Sequence, residues 1–200
     1  MKKVLILLPK GFELLEASAF TDVIGWSKDV LKQDIIACFC GILTEVAASF
    51  GNDELPFIVK TNLLIDYVDA NDYDALAIPG GFGKYGYYQS GFDESVLDLI
   101  RDFHRERKPI AAVCTAALIL AKSGILDGHR VTTYHLDDEM YIKQLKEYNV
   151  DVCIEDVIVS ENIITSSGPQ TAPYVALKLV EMLTSKELSS EIARVMGYSL

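Results

Sequence analysis

The sequence predicts an α/β domain, a mostly parallel central sheet with helices on both faces. Three observations carry this. Short apolar runs recur at residues 4–8, 75–78 and 110–113, and they are closed by Pro9, by Pro79-Gly80-Gly81 and by Cys114. These runs are continuous rather than alternating, as expected of strands buried on both faces. Longer stretches with apolar residues at helical spacing separate them, so strand and helix alternate along the chain.

In order, residues 4–8 form the first strand and residues 14–31 a helix, with Leu15, Phe20, Val23 and Ile24 at helical spacing. Residues 35–39 make a second strand. Residues 43–69 are less regular, with Ser49-Phe50-Gly51-Asn52-Asp53 as a turn between short strands. After the strand at 75–78, Gly83, Gly86 and Gly91 mark a long loop rich in tyrosine (Tyr85, Tyr87, Tyr88), suited to lining a pocket or a dimer contact. Residues 95–107 read as an amphipathic helix with Val96, Leu99, Ile100 and Phe103 inward. The strand at 110–113 leads into a helix at 115–123 closed by Gly124. Strand signals at 131–133, 152–154, 157–159 and 163–165 complete the sheet, with helices at 137–148, 171–183 and 187–196.

Two hundred residues fit one domain spanning the whole chain, with no linker or repeat. A formal net charge of −11 argues against nucleic acid and against an anionic membrane surface. The apolar run after Met1-Lys2-Lys3 is too short for a signal peptide and is interrupted by Pro9, and no run approaches a membrane span. A cytoplasmic location with reduced thiols is therefore expected.

Cys114 stands at the junction of an apolar strand and a helix, where open parallel sheets collect ligands. The positive end of the following helix stabilises a thiolate there, and small neighbours permit a nucleophile elbow. A buried, inert core cysteine is the alternative. Glu16 lies in the first turns of the helix after strand one, either as a helix-dipole partner or facing Cys114. As a carboxylate it would repel a thiolate, whereas protonated by burial it would donate a hydrogen bond, and the two would titrate as a pair. Gly80 and Gly81 let backbone N–H groups approach a ligand, and with the amide of Thr115 they would build an oxyanion hole, unless they simply end a strand. His135, at another strand's end, is the one histidine placed as a general base, with a structural role as the alternative.

Other signals are discounted. Gly81, Gly83 and Gly86 spell a dinucleotide fingerprint but open no helix and precede no acidic strand end, and Gly83-Lys84-Tyr85 is no phosphate loop. Cys38, Cys40 and Cys153 lack zinc-ligand spacing and a fourth partner. No metal and no cofactor is expected.

Taken in register, several segments resemble the ThiJ/PfpI superfamily, whose fold is that of the class I glutamine amidotransferases. They are Gly11-x-Glu13-x-x-Glu16, Val46-x-x-Ser49-x-Gly51, Tyr73-Asp74-Ala75-Leu76-x-Ile78-Pro79-Gly80-Gly81 and Ile110-Ala111-Ala112-Val113-Cys114, then Ala121-x-x-Gly124-Ile125-Leu126-Asp127-Gly128, Val131-Thr132-Thr133 and Ile164-Thr165-Ser166-x-Gly168-Pro169. The resemblance implies a flavodoxin-like sandwich, a homodimer, and a small-molecule substrate. It places Cys114 as nucleophile, Glu16 as its acid, and Gly81 and Thr115 as oxyanion amides. It implies glyoxalase, deglycase or hydratase/amidase chemistry, or a sensor or chaperone whose cysteine oxidises to sulfinic acid. The protease-like branch has histidine after the cysteine. Thr115 instead resembles the isonitrile hydratase branch, which speaks against peptidase activity. The histidine that often follows Val-Thr-Thr is displaced by one, to His135.

Overall fold

The computed structural model describes residues 1–51, 55–136 and 139–199. Asn52 and Asp53 of the expected turn, and Asp137 at the start of an expected helix, lie outside the described residues.

Burial on both faces is what the continuous apolar runs require, and they receive it. Strand β1 (Lys2–Leu7) runs in the interior of the sheet, with Val4, Leu5, Ile6 and Leu7 all fully buried. Parallel partners flank it, β2 (Ile35–Gly41) on one side and β6 (Ala75–Ile78) on the other. Beyond β2, the two-residue β5 (Leu63–Leu64) forms an edge. Beyond β6 come β7 (Ile110–Ala112), then β11 (Ile163–Ser166), all parallel. The other edge, β10 (Val157–Ser160), is antiparallel to β11. The seven-stranded order is therefore β10-β11-β7-β6-β1-β2-β5.

Helix α1 (Leu14–Gly25) follows β1 and continues as a wider turn over Trp26–Val30. It packs with α6 (Ala172–Leu183), which packs with the terminal α7 (Lys186–Met196). A second group, α3 (Glu94–Arg105), α4 (Ala117–Ser123) and α5 (Met140–Leu145), packs together, so helices flank the sheet as expected. Asp93 caps α3 by accepting from Ser95 N–H at 3.0 Å, and Gly124 ends α4 at a left-handed φ of 87°.

Three expectations change. The tyrosine-rich segment is not a loop throughout, because Gly86 (φ 87°) turns the chain into a short helix, α2 (Tyr87–Gly91), that buries Tyr87 completely. The strand signals near 131 and 152 do not join the main sheet. There, β8 (Arg130–Val131) and β9 (Asp151–Val152) pair with each other in parallel. Leu15, one of the apolar residues at helical spacing in the first helix, is 62% exposed, unlike the buried Phe20, Val23 and Ile24. A separate hairpin, β3 (Glu45–Ala47) with β4 (Ile58–Lys60), stands beside the carboxyl end of β1, to which Gly11 N–H is tied through Ala47 O at 2.8 Å. Among the described residues, no helix is long and apolar enough to cross a membrane.

Candidate active site

Strands β1, β6 and β7 end side by side, and each delivers one part of the site. At the end of β7 the chain turns sharply through Cys114 into a 3₁₀ turn (Cys114–Ala116) and then α4. Cys114 holds a left-handed φ of 57°, a conformation that costs a residue bearing a Cβ about 1–2 kcal/mol. Two contacts hold it there. Val113 N–H donates to Ile78 O at 3.1 Å before the turn, and Thr133 Oγ1 donates to Cys114 O at 3.0 Å within it.

The end of β6 supplies Gly80 and Gly81. A Cβ at Gly80 would lie 2.8 Å from the Cys114 Cβ and equally close to Glu16 Oε2 and Val113 O, so only glycine lets the three approach. Gly80 N–H donates to Glu16 Oε2 at 2.5 Å. Gly81 N–H donates to Thr115 Oγ1 at 3.0 Å, and that hydroxyl donates back to Gly81 O at 2.9 Å. Tyr87 closes this corner from behind, its hydroxyl donating to Pro79 O at 2.6 Å.

The end of β1 leads into α1, which places Glu13 and Glu16 one turn apart on the same side. Glu16 is fully buried against the Cys114 thiol, with Glu13 beside it. Burial pushes the Glu16 carboxyl up to about 8, helped by repulsion from Glu13 and opposed by the Gly80 N–H. Its second oxygen, Oε1, is buried and receives no backbone N–H, which disfavours charge there and suits a proton. Burial also raises Glu13. The thiol of Cys114 is pushed up by burial first and then by any charge on Glu16, while the Thr115 N–H pulls it down. The low-lying thiolate expected from the helix end alone is thus opposed by desolvation, and the proton on Glu16 decides how strongly.

Cys114 opens onto a cavity of about 430 Å³. Glu13, Gly81 and Thr115 border the thiol, and Phe50, Phe82, Tyr134, Met140, Tyr141 and Pro169 form the wall. Phe50 and Phe82 meet edge to face at 4.6 Å, as do Tyr134 and Tyr141 at 6.0 Å. Among the described residues, no group of three or more His, Cys, Asp or Glu is arranged to hold a metal ion.

Of the residues singled out in the sequence, the structure brings together Cys114, Glu16, Gly80, Gly81 and Thr115. His135 is not brought in. Its Nδ1 lies 2.9 Å from Thr133 O, and it is not among the residues that line the cavity. The oxyanion expectation is modified, since the Gly80 and Gly81 amides already have internal acceptors. The tyrosines of the 85–88 segment do not line the cavity either. Glu13, Thr133 and the aromatic wall were missed. The three-residue spacing of Glu13 and Glu16 was the signal available for the first, while nothing local marks Thr133 or the wall.

The chain matches the model of the DJ-1/PfpI family over residues 2–182. It is 32% identical over 196 residues to Protein DJ-1alpha of Drosophila melanogaster, covering 98% of this chain and 83% of that protein. It is 31% identical over 197 residues to dj-1beta of the same organism, covering 96% and 95%. The crystal structure of Drosophila DJ-1beta superposes with a TM-score of 0.83 at 28% identity, over 100% of this chain and 99% of that one. Oxidised Toxoplasma gondii DJ-1 gives 0.81 at 27%, with both chains fully covered. A flavodoxin-like sheet, a cysteine turned out at the end of β7 and these matches along nearly the whole length lead to one conclusion: the chain belongs to the DJ-1/PfpI family.

Proposed function

We propose that this protein is a cysteine-dependent enzyme acting on small carbonyl-like electrophiles, with Cys114 as nucleophile and Glu16 as its proton partner. The observation that carries this reading is that Cys114, Thr115 and Glu13 line one cavity while the buried Glu16 carboxyl and the Thr115 N–H both meet the Cys114 thiol. Glu13, which lines the cavity with Cys114, takes the thiol proton; the thiolate adds to a carbonyl carbon, and the electron pair of the C=O bond moves onto oxygen. Glu16, holding its proton at neutral pH, delivers it to that oxygen, and the product is a neutral adduct beside a carboxylate. Glu13, in contact with both Glu16 and the cavity, then returns a proton to Glu16. The scheme covers glyoxalase, deglycase and hydratase chemistry. Peptidase activity is not proposed, since Thr115 follows the nucleophile and no histidine lines the described cavity. Methylglyoxal and an isonitrile, offered to wild type and Cys114→Ser, test it. Turnover lost in the variant is expected, and turnover that survives it overturns the reading.

A second reading has its own observation: none of Cys38, Cys40 or Cys153 lines the cavity, so an oxidised Cys114 meets no second thiol there. Cys114 would then stop at sulfenic or sulfinic acid, as a sensor. Peroxide that leaves Cys114 unmodified by mass spectrometry overturns that version. A second copy of the chain is the proposed partner, resting on an apolar groove that includes the exposed Leu15 together with Pro173, Met196 and Tyr198. Sedimentation as a monomer would overturn it.

A further inference from the structure

Addition at a carbonyl builds negative charge on oxygen, and backbone N–H groups beside the nucleophile are well suited to receive it. Gly81 and Thr115 both border the cavity next to Cys114. Their two amides are not equivalent. The Thr115 N–H points at Cys114, whereas the Gly81 N–H is taken by the Thr115 hydroxyl at 3.0 Å. The same hydroxyl donates to Gly81 O at 2.9 Å, so one side chain clamps both polar groups of one residue. It does so at 3% exposure, where an unmet amide would be costly.

Gly81 has no freedom to turn its amide elsewhere. A Cβ there would fall 2.3 Å from Gly11 O and 2.3 Å from the Tyr87 ring, so the backbone is hemmed in on two sides. Phe12 bridges Gly81 in antiparallel fashion, and Phe82 N–H is tied to Gly11 O at 3.1 Å. The part that can move is the Thr115 side chain, by rotation about its χ1.

We propose that Thr115 is a specificity-determining residue whose hydroxyl occupies the Gly81 half of the anion-stabilising site and so selects against acyl transfer. The inference rests on Cys114 being the nucleophile. Attack on an ester leaves a full charge on oxygen until the leaving group departs, and that charge needs both amides. Addition to an aldehyde needs less, because the adduct oxygen takes a proton from Glu16. Hydroxyl removal by truncation opens the second amide, while its replacement by an isosteric methyl covers the amide with nothing that can hydrogen-bond.

Acylation by p-nitrophenyl acetate tests this without the natural substrate. The Cys114 thiolate attacks the ester carbonyl, a thioester forms, the C–O bond breaks, and p-nitrophenolate leaves with the electron pair. Thr115→Ala should acylate about 100-fold faster than wild type, in line with the worth of one oxyanion donor. Thr115→Ser should stay within about twofold of wild type, and Thr115→Val should be no faster than wild type. A merely structural threonine would instead slow Ala and Val alike, and that pattern overturns the proposal. Amide exchange at Gly81 gives a readout that needs no variant to fold: protection in wild type is expected, and rapid exchange overturns the clamp. If iodoacetamide modifies Cys114 but the ester acylates neither wild type nor Thr115→Ala, the role of Thr115 fails while the nucleophile stands. If neither reagent reacts, the nucleophile itself fails.

Discussion

Cys40 and Cys114 are both buried at strands of one sheet, and they meet opposite fates. Cys40 lies within β2, paired with Leu7 on one side and Leu63 on the other, its backbone absorbed into the ladder. Burial alone pushes its thiol up to about 12. Cys114 lies just past the end of β7, is nearly as buried, and feels a similar penalty. What differs is a donor N–H from Thr115, a protonated neighbour in Glu16 and an opening onto a cavity. On the proposed reading, reactivity is a property of where the strand stops, not of the thiol.

The largest expected effect tests that contrast directly. In native protein at pH 7.5, iodoacetamide should modify Cys114 at least about 100-fold faster than Cys40, read by peptide mass spectrometry. Equal rates would abolish the distinction. Glu16→Gln sharpens it. A carboxyl that keeps its proton to about 8 in the fold, against 4.5 for an ordinary glutamate, stabilises the fold fully below 4.5. That contribution is lost as pH rises through 8. Glu16→Gln has no such proton to lose and should be on the order of 2 kcal/mol more stable than wild type at pH 8, by denaturant titration. Alkylation of wild type should climb less steeply above about 8, where the Glu16 carboxylate opposes the thiolate, and the variant should show no such break. Unchanged profiles would separate Glu16 from Cys114. The smallest effect concerns the turn itself. Thr133→Val removes the bond to Cys114 O and should cost about 1 kcal/mol with a few-fold slower alkylation, both restored by Thr133→Ser.

Much of this architecture was legible before any coordinates. Continuous apolar runs closed by Pro79-Gly80-Gly81 and by Cys114 identify central strands and their ends, because a strand buried on both faces has no room for polar residues. From that, the adjacency of Cys114 to Gly80 and Gly81 follows. Glu16 was reachable only as one of two orientations, since a helix start tolerates acids for its dipole alone. The clamp of Thr115 on Gly81 was not reachable, because it depends on a side-chain rotamer meeting a residue 34 positions away. The same holds for β8 and β9, two-residue strands whose composition carries no mark of which sheet they join. His135 shows the limit of counting, as one step along an extended chain turns a side chain to the other face.

The left-handed backbone at Cys114 bears on how this protein ages in evolution. A side chain at that angle is a standing penalty that glycine would erase, so any lineage freed from the need for the thiol gains stability by discarding it. A descendant with glycine in its place would relieve the turn and, on the proposed reading, give up its nucleophile.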